Sequence, residues 1–194
     1  MSQSASRPEE SGERLAGAAV AGPSIAALVA RGLRARNERV VCAESCTAGW
    51  VAALLSAEPG ISAHLCGSFV TYRESCKQAW LGIDEGLLRE HSAVSAPVTR
   101  QMALGALART GEAHWAVAVT GHVGPQAPLE LDGVCFIAVA RRGAALDRVD
   151  EVRVQLTTRD RVERQVEAAR HVLQQLAKLL DVASRDEGPS RVSP

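Results

Sequence analysis

At 194 residues the chain has room for one domain with a sizeable core, and two full domains are not expected. Hydrophobic residues make up 46% and aromatics only 3%, so the core must come mainly from Ala, Val and Leu, a composition suited to helices packed on a sheet. Lys plus Arg (22) balances Asp plus Glu (22), so no net field draws in a polyanion and nucleic acid is disfavoured as a partner.

The apolar runs are short and broken by charge, far below the ~20 residues of a membrane helix, and the N-terminus lacks a signal-peptide core. The expectation is a cytoplasmic protein without a membrane partner. The five cysteines, Cys42, Cys46, Cys66, Cys76 and Cys135, are odd in number and fall mostly in or beside apolar segments, the usage of reduced thiols. Cys42 and Cys46 have no second Cys/His pair at zinc-like spacing, so no metal site is expected.

Residues 1–22 and 183–194 mix Ser, Glu, Arg, Gly and Pro without periodicity and read as arms flanking a domain at 23–182. Within it, Ile25, Leu28, Val29 and Leu33 recur at helical spacing after Pro23-Ser24, giving a helix that ends near Asn37. "RVVCA" is a buried strand, "AGWVAALLSAE" a helix stopped by Pro59-Gly60, residues 65–72 the next strand, and "ESCKQAWLG" a short helix closed by Gly82. A Ser95 cap with Pro97 in the first turn opens a helix running toward Gly111. "HWAVAVTG" is a buried strand, and two further strands meet at a turn near Arg142-Gly143. A long amphipathic helix from about Arg159 closes the domain. The fold class is α/β: a single compact domain whose mixed sheet is covered by helices.

Three polar clusters terminate apolar strands, the place where α/β sheets put ligands: "ESCTAG", "TYRESCK" and "TGHVGP". In the first, Ser45, Cys46 and Thr47 stand where a helix opens, with backbone N–H groups available to an anion or oxyanion; Ala48 and Gly49 allow close approach. Capping is the commoner use of such Ser and Thr residues. A serine hydroxyl needs a base, and Lys77 and Tyr72 are the candidates from the second cluster. Cys76, Ala79, Trp80 and Leu81 around Lys77 could partly desolvate an amine and lower its pKa, although a lone Lys is more commonly an ordinary surface residue with its stem along the helix. The third cluster is a Gly/Pro turn able to wrap a phosphate, with His122 as a base or donor, although it is no P-loop. Arg159, Arg161 and Arg164 at the start of the last helix could clamp a phosphate, although an exposed charged face is the commoner reading of such a run.

Taken in order, "AESCTAG", "GSFVTYRESCKQAWLGI", "HSAVSAPVTRQMALGAL", "AVTGHVGP" and "DGVCFIAVA" resemble the CinA C-terminal domain family, the nicotinamide-nucleotide amidases, over residues 25–180. The resemblance implies hydrolysis of the carboxamide of nicotinamide mononucleotide to nicotinate mononucleotide and ammonia, with no metal or organic cofactor. It implies a serine nucleophile at Ser45, with Lys77 and Tyr72 as its lysine and tyrosine partners. The expected substrate-binding residues are Glu44, Cys46, Thr47, Gly49, Thr120, Gly121, His122, Gly124 and Arg159. Some members carry a second, N-terminal domain, for which the stretch before Ile25 is too short. A homo-oligomer is compatible with the sequence.

Several positions depart from the family pattern. Ala48-Gly49 replaces a glycine pair, Glu74 an Asn, and His122-Val123 an Ile-Ala, while Gln126-Ala127-Pro128 replaces a glycine-rich run. Thr157-Thr158-Arg159 and Glu163 stand where a Gly-Asp-Arg and a second arginine are usual. These departures leave alternatives beside the plain amidase: a catalytically weak or inactive nucleotide-binding module on the same fold, or an amidase with a shifted substrate. A third reading makes Cys46 the nucleophile, since a thiol at a helix N-terminus is readily activated.

Overall fold

The computed structural model describes residues 23–125, 127–143 and 149–180. Both expected arms, Gln126 and the last residues assigned to the domain lie outside these.

Helix α1 (Ile25–Arg36) starts where Ser24 accepts a hydrogen bond from the Ala27 N–H. It ends at Asn37, whose φ of 50° turns its N–H back onto the last carbonyls. Strand β1 (Val40–Glu44) follows and is buried along its whole length. Next come α2 (Trp50–Ser56), β2 (Leu65–Val70), α3 (Glu74–Leu81), α4 (Glu85–His91) and α5 (Ala96–Arg109). β3 (Trp115–Gly121), β4 (Val134–Arg141), β5 (Asp150–Gln155) and α6 (Arg161–Leu179) complete the chain order.

The five strands form one sheet in the order β2-β1-β3-β4-β5. β1 runs parallel to β2 and β3, whereas β4 is antiparallel to both β3 and β5, so the sheet is mixed as expected. Side chains alternate across the central strands. Val40, Cys42, Val117 and Val119 face one way, against Val29 and Leu33 of α1 and Val172, Leu173 and Leu176 of α6. Val41, Ala43, Ala116 and Ala118 face the other way, with Ala138 and Ala140 of β4, and meet Met102, Ala103 and Ala106 of α5. The valine and leucine face supplies most of the burial, at about 1.5–3 kcal/mol per fully buried side chain. The alanine face instead lets α5 lie close to the sheet. Close approach continues between α3 and α5, where a Cβ on Gly105 would collide with the Leu81 carbonyl.

Four boundaries differ from the sequence expectation. β2 stops at Val70, leaving Tyr72 in the following loop. α5 stops at Arg109 with Thr110 as its cap, before Gly111. α4 is an additional seven-residue helix capped by Asp84. Residues 45–49 form a turn rather than helix, with α2 beginning only at Trp50.

Because β1, β2 and β3 are parallel, their C-terminal ends emerge on one edge of the sheet. β1 is flanked by β2, reached through α2, and by β3, reached through α3 to α5. Such a reversal of strand order opens a crevice at the strand ends, and all three polar clusters lie there.

Candidate active site

The turn after β1 is organised by Glu44. Its buried carboxylate accepts from Thr47 Oγ1 (2.7 Å), the N–H groups of Gly49 (2.9 Å), Val51 (3.0 Å) and Ala52 (3.1 Å), and Ser68 Oγ (2.9 Å). The N–H groups of Gly49, Val51 and Ala52 are therefore taken by the chain's own acid. Glu44, Thr47 and Gly49, expected from sequence at the substrate, do not line the cavity described below. The turn runs through two left-handed residues, Ala48 (φ 50°) and Gly49 (φ 102°). Glycine adopts that region freely, whereas alanine does so at about 1–2 kcal/mol.

Held by this turn, Ser45 is the first residue off the strand, its N–H bonded to the Val119 carbonyl of β3. Its Oγ lies 2.9 Å from Lys77 Nζ, which also donates to the Thr71 carbonyl at 2.6 Å. Lys77 comes from α3, whose inward face presents Lys77 and Leu81 one turn apart. Only 1% of Lys77 is exposed. Burial lowers its pKa from 10.5 to about 8, against smaller opposing contributions from Cys46, Glu74 and Cys76. The Thr71 hydroxyl, by contrast, is buried without a hydrogen-bond partner among the described residues, so it is the backbone of Thr71 that anchors the amine.

Ser45, Cys46, Tyr72, Lys77, Thr120, Gly121, His122 and Gly124 line one cavity of about 230 Å³. Eight of the residues named from sequence thus meet in one place. Thr120 Oγ1 donates to the Ala93 carbonyl at 3.0 Å, pinning the β3 end to the segment before α5. Gly121 is required by proximity, because a Cβ there would run into Cys135 Sγ and stand 2.7 Å from the Val134 carbonyl. His122 is held through its backbone, donating to Val134 and accepting from Gly133. Tyr72 is 54% exposed and its hydroxyl accepts from Arg161 Nη2 at 2.6 Å.

Arg159 lies apart from Ser45 and Lys77, outside the cavity they line. It lines an adjoining cavity of about 550 Å³ with Arg161, Arg164, Asp132 and Asp160. Arg161, named from sequence only among the possible phosphate-clamping arginines, lines both cavities. The register explains the difference: Asp160 caps α6 by accepting from the Val162 and Glu163 N–H groups, so the Asp-Arg pair at the helix start is Asp160-Arg161. The spacing Asp160 to Glu163 matches a capping box and was the signal that would have located the helix start. Four residues beyond Arg161, Gln165 Nε2 donates to the Cys46 carbonyl at 3.0 Å and ties α6 to the turn that follows β1.

The Cys46 thiol points to Cys135, with the two sulfurs 3.9 Å apart. That contact, together with burial, pushes the Cys46 pKa well above its ordinary value. Among the described residues no cluster of His, Cys, Asp and Glu could hold a metal ion, and no helix is long and apolar enough to cross a membrane.

The model of the CinA C-terminal domain matches residues 23–180. The chain belongs to the CinA C-terminal domain family. It is 45% identical over 120 residues to a CinA-like protein of Prochlorococcus marinus, covering 62% of this chain and 28% of the relative. A CinA-like protein of Mycobacterium marinum is 41% identical over 155 residues, covering 78% of this chain and 35% of the relative. The chain thus spans about a third of the length of these curated CinA relatives. A CinA superfamily protein from Klebsiella pneumoniae has a similar solved structure, with TM-score 0.75 and 31% identity over 81% of this chain and 96% of that one. A competence/damage inducible protein from Agrobacterium tumefaciens gives TM-score 0.75 and 31% identity over 84% and 99%. The single α/β domain read from sequence is the CinA fold.

Proposed function

We propose that the chain is a nicotinamide-nucleotide amidase, converting nicotinamide mononucleotide to nicotinate mononucleotide and ammonia with Ser45 as nucleophile and Lys77 as base. The single observation that carries this reading is the 2.9 Å contact between Ser45 Oγ and a buried amine at the end of a crevice. A lysine with pKa about 8 is partly neutral near physiological pH and able to accept the serine proton.

In this mechanism neutral Lys77 Nζ takes the hydroxyl proton as Ser45 Oγ attacks the carboxamide carbon. The oxyanion meets the Cys46 N–H, which has no acceptor among the described residues. The C–N bond breaks as Lys77 returns the proton to the leaving nitrogen, and ammonia departs from an acyl-Ser45 ester. Water, giving its proton to Lys77, then attacks that ester; Lys77 reprotonates Ser45 Oγ and nicotinate mononucleotide is released. Tyr72, on the same cavity wall, meets the substrate beside the reacting carbon. Cys46 is the poorer nucleophile, because its raised pKa keeps the thiol protonated at neutral pH.

The test is turnover by the purified protein. Nicotinamide mononucleotide is expected to yield ammonia and nicotinate mononucleotide in equal amounts, and binding without turnover would favour the non-catalytic module instead.

A further inference from the structure

One side chain bridges the mouth of the reaction cavity. Arg161 donates from Nη2 to the Tyr72 hydroxyl at 2.6 Å and from Nη1 to the Gly124 carbonyl, and it borders the second cavity as well. The other charges of that second cavity are committed. Arg164 holds Asp132 in a two-pronged pair at 2.7 and 2.8 Å and donates from Nε to the Thr158 carbonyl, while Asp160 caps α6. Arg159 has no partner among the described residues. Three arginines face two acids that are already engaged, so the excess positive charge sits at Arg159 and Arg161.

We propose that the second cavity receives the phosphate monoester of the substrate between Arg159 and Arg161, and that its arrival draws Arg161 away from Tyr72. This rests on the amidase reading and adds to it a coupling between phosphate binding and the reacting centre. Arg161 is held only by neutral acceptors, a phenol and a carbonyl. A phosphate dianion offers charge-assisted, two-pronged hydrogen bonds that a guanidinium prefers to either. Release of Arg161 opens the cavity mouth and frees the Tyr72 hydroxyl to turn toward the carboxamide. Arg161 is on this account a positioning residue: it touches the phosphate and acts on the chemistry through Tyr72.

The experiment compares hydrolysis of nicotinamide mononucleotide with that of nicotinamide riboside, which lacks the phosphate, with and without added inorganic phosphate. Wild type is expected to favour the mononucleotide by about 30-fold or more in kcat/KM, the scale of a charge-assisted contact made by two arginines. Inorganic phosphate is expected to raise riboside turnover, because it fills the second cavity and releases Tyr72. Arg161→Gln should lose both the preference and the activation by phosphate. Tyr72→Phe should keep the preference in KM and lose the phosphate-induced rise in kcat. The proposal is overturned if inorganic phosphate leaves riboside turnover unchanged or only inhibits it, or if Arg161→Gln keeps the wild-type preference. Equal efficiency on both substrates leaves the amidase standing and removes the coupling; no turnover of either substrate by wild type removes the amidase reading itself.

Discussion

Lys77 Nζ meets Ser45 Oγ at 2.9 Å although the two residues are 32 apart in sequence, and the amine is almost wholly buried. Parallel pairing of β1 with β2 makes the contact, by bringing the ends of both strands to one edge of the sheet. A serine is thereby placed beside an amine whose pKa burial lowers to about 8.

The rate should report that base. In the proposed mechanism neutral Lys77 is the active form, so kcat/KM is expected to rise with pH through about 8 and level off above it. Lys77→Met should remove this limb and lower kcat/KM by about 10³-fold or more, as loss of an activating base does. A pH series from 6 to 10 checks both; an unchanged profile in Lys77→Met would make the lysine structural.

Stability should carry the same signature with its own sign. The folded pKa, about 8, lies below the ordinary value of 10.5, so between these two pH values the unfolded chain holds a proton that the folded chain lacks. Wild-type stability therefore gains as pH rises from about 8 to 10.5, and below 8 the burial penalty, up to about 3 kcal/mol, is fully present. Lys77→Met has no such penalty. Denaturant unfolding of both proteins across this range should show their difference moving toward wild type as pH rises; a constant difference contradicts the expectation.

Glu44 should matter for the frame of the site. Its carboxylate is surrounded by five donors, so Glu44→Gln aims an amide N–H₂ at N–H and O–H groups. A loss of about 3 kcal/mol is expected, as for buried donors left unmet, together with lower activity from a misplaced Ser45. Equilibrium unfolding checks the first and residual turnover at low temperature the second.

Much of this arrangement was legible in the sequence. The Ser24 cap, the apolar runs of β1 and β3 and the Ser95-Pro97 helix start are local signals, and each is found where local chemistry puts it. Ser45, Lys77, Tyr72 and the Thr120–Gly124 segment were likewise marked by residue type at strand ends, and all line one cavity. The framing role of Glu44 was not legible, because an acid at the end of a buried strand looks like a ligand group and only the folded turn reveals its five internal donors. Arg161 was not singled out from Arg159 and Arg164 because arginines cluster at the start of α6 and only the Asp160 cap selects which one opens the helix. α4 was missed because seven residues are too few to display a period.

Ala48 offers a check on the turn itself. At φ 50° an alanine is strained, so Ala48→Gly is expected to stabilise the protein by up to about 1 kcal/mol, reduced by the greater freedom of glycine in the unfolded chain. A thermal melt reads this directly, and marked destabilisation would show that the Ala48 methyl group contributes packing that outweighs the strain.

The most direct test of the central claim is the turnover of nicotinamide mononucleotide by Ser45→Ala relative to wild type, measured as ammonia release at fixed pH. The substitution removes one oxygen at a strand end and leaves the Glu44-centred turn in place. Loss of an essential nucleophile is expected to lower kcat by about 10⁴-fold or more while the melting temperature stays within a few degrees. A variant retaining activity within about threefold of wild type would contradict the assignment of Ser45 as the nucleophile.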